Sequence, residues 1–234
     1  MMQATSYDDL WRKTWGDIQR VGPVHRHTLK NLVRTVSSLN IESVLDVGCG
    51  SGENLAALAA THPYRLTGAD VSQEALALAK KRVPSARLVQ LDIEHNVLAD
   101  KFDLVMSIQV VEHLLDDVAA LKNMAGMAKS FVLISTIQGR MRPSEIAIGH
   151  VRNYSAANLR SKLASVGLEV VKISNWGFPF YSPIYRSLAE RLPGGPPGGS
   201  VTSLGKIAAS ALYHLYWLNW PDKGDIVTVL SHPS

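Results

Sequence analysis

A glycine-rich turn between an apolar run and an alanine-rich segment constrains this chain more than any other feature. The apolar run over residues 43–47 leads into Gly48-Cys49-Gly50-Ser51-Gly52, and residues 53–60 follow with helical character. Glycines at alternate positions let the backbone adopt a positive φ and let a ligand approach the main chain closely. The spacing G-x-G-x-G differs from the G-x-G-x-x-G of dinucleotide binders. The segment predicts a buried strand, a ligand-binding turn and a helix, in that order.

Apolar runs alternate with helical segments over most of the chain. This alternation favours an α/β fold in which a parallel sheet carries helices on both faces. After the first strand, further strands are predicted over 65–69, 87–91, 102–108, 130–135, 168–174 and 226–231. Helices are predicted over 53–60, 72–81, 116–127 and 155–166, with Ser72 and Ser155 as N-caps.

Two regions fall outside this alternation. Residues 7–39 precede the first strand and predict one or two helices. Residues 175–224 form a late insertion, in which predicted helices over 183–192 and 201–217 flank the Pro/Gly tract 193–199, a predicted mobile loop. We expect a single domain over 1–234. Its predicted parts are a helical cap (1–40), a core (41–174), the helical insertion (175–224) and a final strand (225–234).

Composition restricts the class of protein. Of 234 residues, 46% are apolar and 19% are charged, which is the balance of an ordinary globular domain. Lysine and arginine (24) exceed aspartate and glutamate (20) by only 4, so a nucleic-acid partner is not expected. A single cysteine, Cys49, excludes a disulfide framework and a cysteine-ligated zinc site. With no secretory signal and no apolar run of about 18 residues, we expect a cytoplasmic protein.

Acidic residues follow two of the predicted strands beyond the glycine turn. Asp70 ends the second strand and Asp92 follows the third. An acid in the first position can accept hydrogen bonds from both ribose hydroxyls of a nucleoside, and the second can bracket an adenine with its backbone. Because open α/β sheets bind ligands at the carboxyl ends of their strands, the three strand ends predict one nucleoside-binding site.

Taken in order, these segments resemble the motifs of class I S-adenosylmethionine-dependent methyltransferases. The resemblance covers about residues 43–174 and is carried by Val44–Gly52, Gly68-Ala69-Asp70, Leu91-Asp92-Ile93 and Phe102-Asp103-Leu104-Val105. Residues 109–114 (QVVEHL) and 150–155 (HVRNYS) resemble the branch that includes ubiquinone-biosynthesis O-methyltransferases. The resemblance implies a Rossmann-like sheet of seven strands, mostly parallel with one antiparallel strand. It also implies S-adenosyl-L-methionine as the methyl donor and S-adenosyl-L-homocysteine as the product.

The resemblance implies roles for the residues of the first strand and the glycine turn. Gly48, Gly50 and Gly52 would shape the floor under the methionine part of the donor, with Cys49 in the same loop. Asp46 would reach toward the donor's amino group, directly or through water.

The later strand ends take the remaining donor-binding roles that the resemblance implies. Asp70 would hold the ribose, with Val71 against the adenine. Asp92 would meet the adenine amino group and Ile93 its ring face. Gln109 would lie beside the sulfonium at the end of the fourth strand.

Methyl transfer from a sulfonium is an in-line displacement, so the protein must mostly align the reactants. A hydroxyl acceptor also needs a base, and His113 and His150 stand after strands on the predicted ligand edge. His113 could equally be a helix-start residue bonded to nearby backbone. Tyr154 and Arg152 are candidates for orienting the acceptor, although Arg152 could form a surface ion pair.

Three other features each have a structural reading beside the functional one. Arg26 could clamp the donor's carboxylate or lie solvated at the surface. The aromatic residues at 7, 11 and 15 form either a packed helix face or a lid. Asp116 and Asp117 open a helix and predict stabilisation of its N-terminus, so no metal is expected.

The nature of the acceptor is approached by exclusion. The chain lacks the N/D-P-P-Y/F turn of base-amino methyltransferases, the nucleophilic cysteine of cytosine-C5 enzymes, the paired-glutamate loop of arginine methyltransferases and an RNA-binding module. A small organic acceptor is therefore predicted, and the tail GFPF over 177–180 resembles methyltransferases of secondary-metabolite and glycan pathways. Methylation of RNA or protein, and a non-catalytic donor-binding scaffold, stay open as alternatives.

The aromatic insertion leaves the partners open. Its second helix is apolar nearly all round and therefore needs something to pack against. It could be a lid on its own domain, a homodimer contact in a chain that is otherwise a monomer, or a shallow contact with a membrane or lipid-linked acceptor.

Overall fold

Seven strands form one mixed sheet in the computed structural model, which describes residues 21–189 and 202–234. In chain order they are β1 Ser43–Val47, β2 Arg65–Asp70, β3 Arg87–Gln90, β4 Phe102–Ile108, β5 Ala128–Ile137, β6 Leu168–Trp176 and β7 Ile226–Pro233. The sheet order is β3-β2-β1-β4-β5-β7-β6, and only β7 runs antiparallel to its neighbours. The seven-stranded, mostly parallel sheet expected from the sequence is confirmed.

Alternation along the central strands divides the core between the two faces of the sheet. Leu45 of β1 and Val105 of β4 point into one apolar cluster, whereas Val44 and Leu104 point into the other. Every residue of β1 is buried, because helices cover both faces of a parallel sheet. This coverage explains why Val44 and Leu45, which face opposite sides of the sheet, are both apolar.

Eight α-helices connect or flank the strands in the described part of the chain. They are α1 Pro23–Val36, α2 Glu53–Ala59, α3 Gln73–Arg82, α4 Asp117–Met127, α5 Pro143–Ala147, α6 Ala156–Ser165, α7 Arg186–Ala189 and α8 Ser203–Leu215. The predicted caps are confirmed, since Ser72 accepts from the Ala75 amide and Ser155 from the Asn158 amide. Asp116 likewise caps α4.

The insertion differs from its prediction. A π-helical segment over Phe180–Tyr185 precedes α7, where the sequence predicted one helix over 183–192. Ser182 has an extended backbone and Pro183 lacks an amide donor, so a regular α-helix cannot form there. The second predicted helix is α8, followed by the 3₁₀ turn Tyr216–Leu218. The aromatic residues Tyr7, Trp11 and Trp15, and the tract 193–199, lie outside the described residues.

Helix α1 and the insertion meet at the carboxyl ends of the strands. His27 of α1 stacks on Trp176 at the end of β6, with ring centroids 4.8 Å apart, and its Nε2 lies 2.8 Å from the Tyr213 carbonyl of α8. Tyr216 packs with Ile137 at the end of β5 in the same cluster. The cap and the insertion thus border the edge where the predicted ligand site lies. Within the described ranges, no helix combines the length and the apolar character needed to cross a membrane.

Candidate functional site

The glycine turn after β1 is tied to the end of β2 through its main chain. Gly48, Gly50 and Gly52 all have positive φ, at 72°, 52° and 79°. The amides of Gly48 and Cys49 both donate to the Ala69 carbonyl, at 2.7 and 3.0 Å. These bonds hold the turn in a left-handed conformation that glycine adopts without strain.

Gly48 is the position in this turn that should tolerate a side chain least. A Cβ there would lie 2.9 Å from Cγ1 of Val110 and would keep a φ of +72°. We expect Gly48→Ala to lower the free energy of unfolding by about 1–3 kcal/mol and to weaken donor binding. The matched control is Gly126→Ala in α4, where a Cβ would meet nothing within 4 Å. Thermal unfolding and titration calorimetry would check this, and equal stability of the two variants would contradict it.

Cys49 contributes to the site through its backbone alone. Its side chain is buried in the apolar cluster with Leu55 and Leu66, and burial raises the pKa of the thiol. A Cβ on Gly68 would lie 2.8 Å from its Sγ, so the thiol fills the space beneath β2. The Cys49 side chain therefore faces the core, and the place of Cys49 among the predicted donor-binding residues rests on its backbone.

Two buried carboxylates, Asp46 and Asp70, flank the turn. Asp70 accepts from the Gly50 amide at 2.8 Å and from the Ser72 amide at 2.9 Å. Oδ2 of Asp46 accepts from Asn54 at 3.3 Å, whereas its Oδ1 is buried with no hydrogen-bond partner among the described residues. Burial, followed by the charge of Asp70, raises the pKa of Asp46 to about 8. Such a site would gain from a cationic ligand group, which would stabilise the charged carboxylates.

The two residues predicted to contact adenine, Asp92 and Ile93, follow β3, and both already have contacts within the protein. Asp92 accepts from the Glu94 amide at 3.1 Å, and its Oδ2 lies 3.0 Å from His95 Nδ1. Ile93 is only 4% exposed and belongs to the core, so the structure leaves little of its side chain for a ring face. Val71 is half-buried at the end of β2, where the sequence placed it.

Gln109 occupies the end of β4 in a strained conformation. Its φ is 58°, although it is not a glycine, and its amide donates to the Ser135 carbonyl at 2.7 Å. Its Nε2 is buried with no hydrogen-bond partner in the described part of the chain. A left-handed non-glycine residue costs about 1–3 kcal/mol, and such strain concentrates at functional sites.

The two candidate bases come together. The rings of His113 and His150 are 4.6 Å apart, edge to face. Burial, followed by the charge of His150, lowers the pKa of His113 to about 4. Burial also lowers the pKa of His150, but the Glu145 charge and a hydrogen bond with Asn153 act in the opposite direction. Both rings are thus neutral near pH 7, and the charge of Glu145 favours proton uptake by His150.

Glu112 adjoins this histidine pair. It is fully buried, accepts from Thr136 Oγ1 at 2.8 Å, and burial raises its pKa to about 7. Glu112, His113 and His150 each offer a ligand atom, and these atoms lie within 4.8 Å of one another, a spacing that a divalent cation could bridge. The sequence analysis named His113 and His150 but missed Glu112, because no local pattern shows that its carboxylate is buried beside them. The expectation of no metal stays a prediction.

A buried ionic network supports the loop that carries His150. The His150 amide donates to the Glu145 carbonyl at 3.0 Å, and Asn153 donates to Glu145 Oε2 at 2.9 Å. Arg186, 5% exposed, forms ion pairs with both Glu145 and Asp225. The network joins this loop to the insertion. No local sequence pattern predicts this network, because its members are far apart in the chain.

Two residues proposed to orient the acceptor have structural partners instead. Tyr154 is 2% exposed, and its hydroxyl lies 2.6 Å from Asp117 Oδ2 and 3.0 Å from the Val111 carbonyl. The catalytic assignment of Tyr154 is therefore corrected to a packing role. Arg152 donates to the carbonyls of Leu114 and Leu115.

Arg26 lies within α1. Its guanidinium carbon is 3.6 Å from the centroid of the Tyr213 ring, a cation–π contact with α8. This contact joins the two elements that border the site and gives Arg26 a packing function. The partner of Arg26 is thus the Tyr213 ring, whereas the sequence suggested either the donor's carboxylate or solvent.

The sheet order, the antiparallel β7 and the glycine turn tied to the second strand define the class I S-adenosylmethionine-dependent methyltransferase fold. Residues 45–132 match the family model described as a methyltransferase domain. The match covers these residues alone, and it agrees with the resemblance found in the sequence analysis.

Several known methyltransferases are similar to this chain in sequence or in fold. The chain is 32% identical over 142 residues to a ubiquinone biosynthesis O-methyltransferase from Bradyrhizobium diazoefficiens, covering 55% of this chain and 54% of that relative. It thus spans only about half the length of the curated relatives it matches. Two solved structures share the fold. A magnesium protoporphyrin IX methyltransferase from Synechocystis PCC 6803 with bound S-adenosylhomocysteine has a TM-score of 0.63 at 15% identity, covering 100% of this chain and 96% of that one. The N-methyltransferase NodS from Bradyrhizobium japonicum WM9, in complex with S-adenosyl-L-homocysteine, has a TM-score of 0.62 at 19% identity, with coverage of 94% and 93%.

Proposed function

We propose that this chain transfers the methyl group of S-adenosylmethionine to an oxygen atom of a small organic acceptor. One observation carries the proposal. The glycine turn with its buried carboxylates and the neutral pair of His113 and His150 lie at the same edge of the sheet. A donor site and a proton acceptor are the two parts that O-methylation requires.

The donor would bind along the turn with its charges matched. Its ammonium group would face Asp46, whose unpartnered Oδ1 and raised pKa favour a nearby cation. Asp70 would bind the ribose hydroxyls while it continues to hold the Gly50 amide. Gln109, with its unpartnered Nε2, would lie beside the sulfonium.

The transfer itself would be an in-line displacement. The acceptor oxygen attacks the methyl carbon, the new C–O bond forms as the C–S bond breaks, and the electron pair of that bond stays on sulfur. The hydroxyl proton passes to the neutral imidazole of His150. Glu145, Asn153 and Arg186 position this ring by fixing its loop.

The acceptor class follows from the surroundings of the site. Helix α1 and the insertion border the carboxyl edge, and we propose that they form a lid over a small acceptor. The curated O-methyltransferase relatives support this choice. A single, buried cysteine supports a reducing compartment, which we propose to be the cytoplasm.

A labelling experiment tests the reaction and its acceptor. The protein is incubated with S-adenosylmethionine carrying a labelled methyl group and a size-fractionated cell extract. We expect label in the low-mass or lipid-soluble fraction, with a methyl ether in the product. Label in RNA or protein would show that the acceptor is a macromolecule, and the proposed donor site would still stand. Proven donor binding with no label in any fraction would favour a non-catalytic scaffold.

A further inference from the structure

Helix α8 presents an apolar stripe to the outside. Leu204, Ile207, Leu215 and Leu218 lie 3, 8 and 3 positions apart, which places them on one side of the helix and its 3₁₀ extension. Their exposed fractions are 77%, 67%, 38% and 63%, and no residue of α8 itself is buried. A surface helix normally turns such a stripe toward the core, so this one is inverted.

The opposite side of the helix fixes this orientation. The carbonyl of Tyr213 bonds His27 of α1, and Arg26 stacks on the Tyr213 ring. Tyr216, at the end of the helix, is 1% exposed and packs with Ile226 at the start of β7. The helix is therefore anchored on the domain by its polar and aromatic side. Its apolar stripe cannot turn inward without losing these contacts.

The rim of the stripe is aromatic and basic. Trp217 and Trp220 are more than half exposed, and the Lys30 ammonium lies 3.1 Å from the centroid of the Trp217 ring. Lys223 lies 5.1 Å from the ring of Trp220. No acidic residue occurs in 21–41 or 202–221, the two segments that supply α1, α8 and the 3₁₀ turn, and the exposed Asp222 follows beside Lys223.

We propose that this face, the α8 stripe with its rim, docks on an anionic membrane surface. Leucine and isoleucine side chains enter the acyl boundary, tryptophan rings lie at the headgroup level, and lysines reach the lipid phosphates. A second copy of the chain fits the face less well. In a two-fold dimer the basic rims would meet each other with no carboxylate from either segment to pair them.

Co-sedimentation with lipid vesicles tests the proposal without reference to catalysis. The full chain is mixed with vesicles of phosphatidylcholine alone, or of phosphatidylcholine with an equal amount of phosphatidylglycerol. We expect binding to the anionic vesicles only, weakened by salt. The double variant Leu204→Gln, Ile207→Gln should lower the partition coefficient about tenfold or more. Lys30→Gln with Lys223→Gln should lower it roughly tenfold on anionic vesicles.

Val171→Gln is the matched control, because Val171 is a 55% exposed apolar residue on the edge strand β6. It should bind as the unaltered chain does, and all variants should unfold at the same temperature since the altered residues are exposed. Absence of binding to anionic vesicles would overturn the proposal, as would unchanged binding of the Leu204/Ile207 variant. Sedimentation velocity tests whether a second copy of the chain occupies this face instead. A dimer that this double variant dissociates, without vesicle binding, would make the face a contact between copies.

Discussion

Asp70→Ala should weaken S-adenosylmethionine binding by about 2–4 kcal/mol, roughly 30- to 700-fold in Kd. Under the proposed function, the carboxylate accepts from the ribose hydroxyls, and it already holds the Gly50 and Ser72 amides. Its removal would therefore cost ligand contacts and loosen the turn that carries the methionine part. Titration calorimetry measures the affinity, and far-UV circular dichroism confirms that the variant is folded.

Asp103 supplies a matched control for this effect. Its carboxylate also accepts from two backbone amides, those of Glu42 and Ser43 at 3.0 and 2.9 Å, but it lies at the start of β4, on the opposite edge of the sheet. Asp103→Ala should lower stability and leave donor affinity unchanged. Asp70→Asn, which keeps the shape of the side chain, separates loss of charge from loosening of the turn. A folded Asp70→Ala variant with normal donor affinity would refute the donor site.

His150→Ala should lower kcat about 100- to 10,000-fold while leaving donor affinity nearly unchanged. The reason is that His150 is neutral at pH 7 and is held by a loop rather than by the donor turn. Because burial lowers its pKa, the acidic limb of kcat against pH should have its midpoint below the value of about 6.5 that an ordinary imidazole would give. The measurement is kcat against pH for the unaltered chain and for His150→Gln, whose residual activity should lose the acidic limb.

His113→Gln is the companion variant. Its imidazole has a pKa of about 4, well below the pH at which the reaction would run, so we expect a smaller loss of kcat than for His150→Ala. EDTA distinguishes a proton acceptor from a metal ligand within the same set of side chains. Turnover unaffected by EDTA supports His150 as the base. Loss with EDTA, restored by Zn²⁺ or Mg²⁺, would instead make Glu112, His113 and His150 ligands. A normal rate in His150→Ala would remove this residue from the mechanism.

The sequence by itself determined the features that depend on short-range order. The strand, glycine turn and helix around residues 43–59 follow from local periodicity and from the φ angles that glycine permits. Ser72 and Ser155 were recognised as caps because a cap bonds an amide only three positions away. The acids at strand ends were also found, since parallel strands bring their carboxyl ends to one edge.

Only the tertiary structure decided which distant residues meet. The approach of His150 to His113, and the ion pairs of Arg186 with Glu145 and Asp225, join segments that no periodicity relates. The structure also places Tyr154 and Ile93 in the core. The sequence could not show this, because apolar or aromatic character does not reveal which way a side chain faces. The same limit applied to α8. Its apolar character was visible in the sequence, but the outward direction of its leucine and isoleucine side chains follows from the packing of Tyr213 and Tyr216 on the domain.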